Sequence, residues 1–134
     1  METYPDWLQG QSSALDEKMG LEFLEVTGER TVGRMPVQGN TQPFGLWHGG
    51  ASCVLAETLA SVAAFAAIGA RGSVYGLELN ATHHKAVRSG WVTGTAGLLQ
   101  LGGKLATYEI VLHDDAGDRV CTARLTVFLR RDPN

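Results

Sequence analysis

Glu57 is the only formal charge between Gly49 and Ala70, a stretch in which nearly every residue is apolar or small and no proline intervenes. Such a run predicts one long buried helix, and a carboxylate in its middle is costly unless something uses or satisfies it. Apolar surroundings raise a carboxyl pKa toward the range in which it serves as a general base near neutral pH. Ser61 follows at i+4 on the same face, where the two side chains can share one water. Gly49 opens the helix. Backbone N–H groups there lack internal acceptors and the macrodipole presents about half a positive charge, a position suited to an oxyanion, while Gly50 lets a ligand approach the backbone closely. A carbonyl under attack needs both polarisation and a base or nucleophile near its carbon. Glu57 lies about thirteen ångströms along the axis from the helix start at 1.5 Å per residue, so one helix alone cannot complete such a site.

Each of these residues also has an ordinary explanation. His48 could simply cap the helix or bond a loop carbonyl, and Gly49-Gly50 could be only a tight turn. Glu57 could be a structural carboxylate paired across an interface, and Ser61 could bond a carbonyl one turn back. Cys53 reads as a small buried filler. His83 and His84 are adjacent on a presumed strand and point to opposite faces, so at most one looks into a given pocket. Lys85, Arg88, Lys104, Arg130 and Arg131 are scattered cations.

The elements that must position these residues follow from periodicity and turn signals. Residues 1–13 form a lead-in, after which Ala14 to Met19 predicts a short helix stopped by Gly20. Leu21 to Thr27 and Thr31 to Val37, separated by Gly28-Glu29, suggest a hairpin. A loop from Gly39 to Trp47, with Asn40, Pro43 and Gly45, delivers the chain to His48. Gly69, Arg71 and Gly72 mark the helix exit. Tyr75 to Val87 follows, with Leu77 and Leu79 alternating with Glu78 and Asn80, and Arg88-Ser89-Gly90 turns it into Trp91 to Leu99. Leu105 to His113 and Val120 to Leu129 are joined by a turn over Asp114 to Asp118. These elements predict an α+β fold, a curved and mainly antiparallel sheet wrapped around one long central helix that its alanines keep slender. Its edge strands need protection, which a homo-oligomer extending the sheet across a two-fold axis would provide.

The 134 residues suit one domain, residues 1–134 with a lead-in over 1–19, and 44% hydrophobic content suffices for a core. A net charge of -3 and pI near 5.7 lack the basic footprint of a nucleic-acid binder. Cys53 and Cys121 lie far apart and no CxxC or Cys/His cluster suggests metal or redox work, which fits a reducing, cytoplasmic setting. METYPDWLQGQSS has no signal-peptide core. Gly49 to Ala70 is long enough to span a bilayer, but a central Glu is disfavoured there by roughly 2.5 kcal/mol or more. Asn80-Ala81-Thr82 is read as a chance sequon.

QPFGLWHGGASCVLAETLASVAA, followed by GLELNATHHK, resembles the hotdog-fold acyl-CoA thioesterases. It is most similar to the 4-hydroxybenzoyl-CoA thioesterase-like branch with Glu on the helix, which includes the 1,4-dihydroxy-2-naphthoyl-CoA and enterobactin-pathway proofreading thioesterases. The likeness extends from about Gly20 to Leu129. The later LGGK resembles the family's turn before the penultimate strand, with Gly103-Lys104 where related members often have Ser-Arg. The resemblance implies hydrolysis of an acyl-CoA, with an aromatic or related bulky acyl group, to free acid and CoA. It implies that the Gly49 N–H, aided by the Gln42 side chain, polarises the carbonyl. Glu57 then attacks the thioester or activates water, Ser61 places that water, and His48 stands near the departing sulfur. His83 matches the family's pocket His; Met19, Phe44 and Trp47 could line an acyl pocket or simply pack, and among the scattered cations Arg88 and Lys104 are the candidates for the CoA phosphates, since a long nucleotide tail must lie along the protein's outside. It further implies that Gln42, His48 and Gly49 of one subunit face Glu57 and Ser61 of its neighbour, in a homodimer whose dimers pair into a tetramer. No metal or redox cofactor is implied, coenzyme A being part of the substrate. Two other readings stay open: a hydratase or dehydratase on the same fold, whose usual Asp-x-Asn-Pro-x-His type signature is absent, and a non-catalytic acyl-CoA-binding module.

Overall fold

The computed structural model describes Leu8 and residues 13–132. The predicted lead-in over residues 1–13 falls outside them except for Leu8, which is buried, and Ser13. Helix α1, Ala14–Met19, starts at Ser13, whose hydroxyl accepts from the Asp16 N–H, and stops at Gly20 in the left-handed region at φ 75°. Strands β1 (Glu22–Val26) and β2 (Arg30–Pro36) form the expected hairpin. Helix α2 runs Gly49–Ala67. Its end comes three residues before the expected Ala70, because Gly69 and Ala70 both turn left-handed and their N–H groups fold back onto the Ala66 and Phe65 carbonyls.

Strands β3 (Gly72–His83), β4 (Trp91–Leu101), β5 (Leu105–His113) and β6 (Arg119–Arg131) complete one sheet of order β1-β2-β4-β5-β6-β3, antiparallel throughout. The expected hairpin between β3 and β4 does not exist. β3 ends at His83 rather than Val87 and pairs with β6 at the far edge, while residues 84–90 carry the chain across the sheet end to β4. That connection is held where it crosses the approach to α2: the Trp47 N–H donates to the Val87 carbonyl at 2.8 Å and the Val37 N–H to Gly90 at 2.9 Å. The sheet thus has two edges, β1 and β3.

One face of α2 is buried against the sheet through Ala51, Ser52, Leu55, Ala56, Leu59, Ala60, Ala63 and Ala64. The i, i+3, i+4 spacing makes this a continuous stripe. By length and composition α2 could cross a membrane, but here that stripe is the floor of the core, meeting Val92, Tyr108, Ile110, Leu112 and Leu125 from the strands. Close contact is possible because two glycines paired across β2 and β4, Gly33 and Gly94, receive Leu59. A Cβ at Gly33 would fall 2.7 Å from one Leu59 methyl, and one at Gly94 2.8 Å from the other. Cys121 is buried and its thiol is pushed up by burial, with Cys53 nearby adding to the effect. Cys53, expected to be buried, is only half so.

Candidate active site

The loop from Thr41 to Trp47 closes on itself through Gln42. Its side-chain carbonyl oxygen accepts from the Phe44 N–H at 2.6 Å and the Leu46 N–H at 3.2 Å. With that oxygen committed, the amide NH2 is the end of Gln42 left to donate. Trp47 then anchors the loop: its ring is buried and its Nε1–H donates to Ser52 Oγ at 2.6 Å, tying the loop to the first turn of α2.

His48 caps that turn. Its Nδ1 accepts from the Gly50 N–H at 2.7 Å, so the ring is in the tautomer that carries its proton on Nε2. The Ala51 and Ser52 N–H groups both point at the His48 carbonyl, at 2.9 and 3.3 Å. Of the four N–H groups that a helix start leaves over, those of Gly50 and Ala51 are used in this way and that of His48 donates to the Asn40 carbonyl at 2.9 Å, while the Gly49 N–H has no acceptor among the described residues. The imidazole of His83 lies against Gly49, its Cε1 and Nε2 each 3.1 Å from where a Cβ would stand. His84 points the other way and bonds Thr122 Oγ1 at 2.9 Å on the outer face.

Glu57 is not sequestered within its own chain. The apolar run predicted a buried carboxylate, but the stripe that faces the sheet passes it by, and Glu57 is exposed on the flank of α2 that looks toward β3. Its carboxylate rests against Gly76 of β3, with Cδ 3.3 Å from an ideal Cβ position there. Ser61, one turn further along the same flank, is half-buried. Gly76 opens the GLELNATHHK segment, but the resemblance assigns it no role there. The available signal was an isolated glycine inside a strand pattern, which marks a bulge or a close approach, and here it marks both.

The register between β3 and β6 shifts between Gly76 and Glu78. Side chains alternate along a strand, so residues seven apart would ordinarily face opposite ways. The extra residue, Leu77, restores agreement: Gly76 pairs with Val127 and His83 with Cys121, both core-facing. Leu77 itself is 59% exposed rather than sharing a face with Leu79. One strand thereby touches both ends of the proposed chemistry, the helix start through His83 and the carboxylate through Gly76.

Other expected contributors are scattered. Phe44 is 83% exposed at the loop tip. Arg88 borders a groove of about 570 Å³ with Pro36, Gln38, Thr41 and Trp91. Lys104 sits beyond the other end of β4, across roughly 35 Å of strand at about 3.3 Å per residue. The two cannot grip one phosphate group from the same chain. Lys85 is taken by Asp114 and Asp118 at 2.5 and 2.6 Å, which holds the Asp114 carboxyl below the usual range, and Arg131 donates to the Gly102 and Gly103 carbonyls.

Known proteins resemble the chain in sequence and in fold. Residues 44–121 match the thioesterase superfamily. The chain is 45% identical to the proofreading thioesterase EntH of Klebsiella pneumoniae over 108 residues, 80% of this chain and 79% of that one. A Pseudomonas aeruginosa thioesterase superposes with TM-score 0.88 at 37% identity, covering 96% of both chains. A Staphylococcus aureus thioesterase, 30% identical over 88% of this chain and 99% of its own, superposes at 0.84 and 0.82. It has been crystallised as two alanine variants, one at a glutamine and one at a glutamate fifteen residues later, the spacing that separates Gln42 from Glu57. With a six-stranded antiparallel sheet around one helix and this match over most of its length, the chain belongs to the thioesterase superfamily, a thioester hydrolase on the hotdog fold.

Proposed function

We propose that the chain hydrolyses an acyl-CoA thioester to free acid and CoA in the cytoplasm, at sites shared between two subunits. The observation that carries this reading is the Gly49 N–H, without an acceptor among the described residues at a helix start whose other leading donors are all used. A donor so placed stabilises a developing oxyanion by roughly 3 kcal/mol, and the Gln42 NH2 is free to join it. The thioester carbonyl is polarised there. Glu57 either attacks the carbon, giving an anhydride that water then opens, or takes a proton from the water that attacks. In both routes the C–S bond breaks and the sulfur leaves as thiolate, which is protonated. His48, with its proton on Nε2, can donate toward that sulfur, and Ser61 can orient the water. An aromatic or similarly bulky acyl group follows from the branch the sequence resembles. Coenzyme A enters as part of the substrate, and no metal or redox cofactor is needed.

The need for a second subunit comes from distance and from the free edge. Gly49 and Glu57 are about twelve ångströms apart along α2 at 1.5 Å per residue, and β3, which touches both, has no strand partner on its outer side among the described residues. If β3 pairs antiparallel with its own copy so that Gly76 lies opposite His83 of that copy, each Glu57 faces the other subunit's helix start. Two composite sites result, and the outer surfaces remain for pairing dimers into a tetramer. Arg88 and Lys104 then approach one nucleotide tail only from different subunits. The test is thiol release from aromatic, short and long acyl-CoA substrates by the wild type and Glu57→Ala. The expected outcome is turnover with a bulky acyl group and a loss of at least about a hundredfold in kcat with the fold kept. Acyl-CoA binding with no thiol released by the wild type would instead make the chain a binding module.

A further inference from the structure

Gly76 lies in β3 beside the bulge but outside the left-handed region that favours glycine, so no positive φ in its own backbone excludes a side chain. What excludes one is Glu57. Gly76 pairs with the core-facing Val127, so a side chain here would project toward α2 and not toward the free edge of the sheet. Its Cβ would overlap Glu57 Oε2 and stand 3.3 Å from Cδ, with Leu125 Cδ1 at 3.5 Å. The overlapped atom is the far end of a flexible side chain on an exposed flank, so the carboxylate would give way before the sheet does.

We propose that Gly76 is a positioning residue, whose missing side chain is the seat of the Glu57 carboxylate and fixes where that carboxylate meets the acyl carbon. The proposal rests on Glu57 being the reacting carboxylate. Between Gly76 on one side and α2 on the other, the oxygen lies flat against the strand. A methyl group at 76 turns it away by more than the tolerance of a near-attack geometry, in which a misplacement of about 1 Å costs roughly a hundredfold.

The test compares full-length wild type, Gly76→Ala, Glu57→Ala, Glu57→Asp and the Gly76→Ala/Glu57→Asp pair by thiol release from the acyl-CoA the wild type turns over fastest, with thermal melts and sedimentation. Gly76→Ala is expected to melt and assemble like the wild type, to keep KM within about twofold, and to lose roughly ten- to a hundredfold in kcat. Its crystal structure is expected to have Glu57 rotated away over an unmoved β3. The shorter carboxylate of Glu57→Asp no longer reaches the added methyl, so the double variant should be no slower than Glu57→Asp alone, a departure from additivity. Full kcat in Gly76→Ala, a change in KM alone, failure to fold or assemble, or an undisplaced carboxylate would each overturn the proposal. If Glu57→Ala is dead and Gly76→Ala fully active, only the positioning role falls. If Glu57→Ala keeps the wild-type rate, the proposed mechanism falls and takes this role with it.

Discussion

Tyr108 reaches under the sheet to donate its hydroxyl to the Gly28 carbonyl at 2.6 Å, pinning the β1–β2 turn where Gly28 packs on Ala67. Burial pushes its pKa up to about 12. In the unfolded chain the same phenol ionises near 10, so between those values the unfolded state holds fewer protons and stability falls as pH rises. Tyr108→Phe should lose about 1 kcal/mol at neutral pH with the hydrogen bond, yet decline less steeply than the wild type from pH 10 upward. Urea titrations at pH 7 and above pH 10 read both effects, and parallel curves would mean that Tyr108 does not set the alkaline limit. Residue identity at this scale is unevenly legible. His48, Gly49 and Glu57 stand out because a charge inside an apolar helix and glycines at its start are rare enough to need reasons. Burial was misjudged for Glu57, since composition says that a helix is apolar but not which flank the sheet covers.

At the scale of elements, the packing of α2 depends on what the strands leave out. Leu59 sinks between Gly33 and Gly94, and the added Cβ of Gly94→Ala would also stand 3.3 Å from Leu112 Cδ1. Both neighbours are fully buried, so relief must come from the backbone or strained rotamers, at about 1–3 kcal/mol. Gly97→Ala, on the same strand with nothing within 4 Å of its Cβ, is the control expected to leave stability unchanged. Equal melting midpoints for the two variants would contradict this account. Periodicity and turn residues gave α1, the first hairpin and β5 nearly to the residue. They misassigned the partner of β3, because a run of alternating residues specifies a strand's faces and not its neighbour. The crossing over residues 84–90 is fixed by long-range bonds from Trp47 and Val37, which no local pattern contains.

For the molecule as a whole, the proposed sharing of sites between subunits makes a quantitative claim. Gln42→Ala and Glu57→Ala homodimers each lack one half of every site. Mixed and allowed to exchange, they form hybrids in which one site is whole and the other doubly defective, so activity should recover to about a quarter of the wild-type value. No recovery despite demonstrated exchange would place both halves within one chain. The same arrangement makes strand parity a property of the assembly. Leu77 acts as a phase shift: ahead of it the odd-numbered side chains look outward, and beyond it they look in. Flattening that bulge with the residue kept, so that Leu77 took the place opposite Thr126, should swap the two imidazoles, turning His83 to the outer face and bringing His84 under the sheet, and it would unseat one wall of each site without touching a single group that does chemistry.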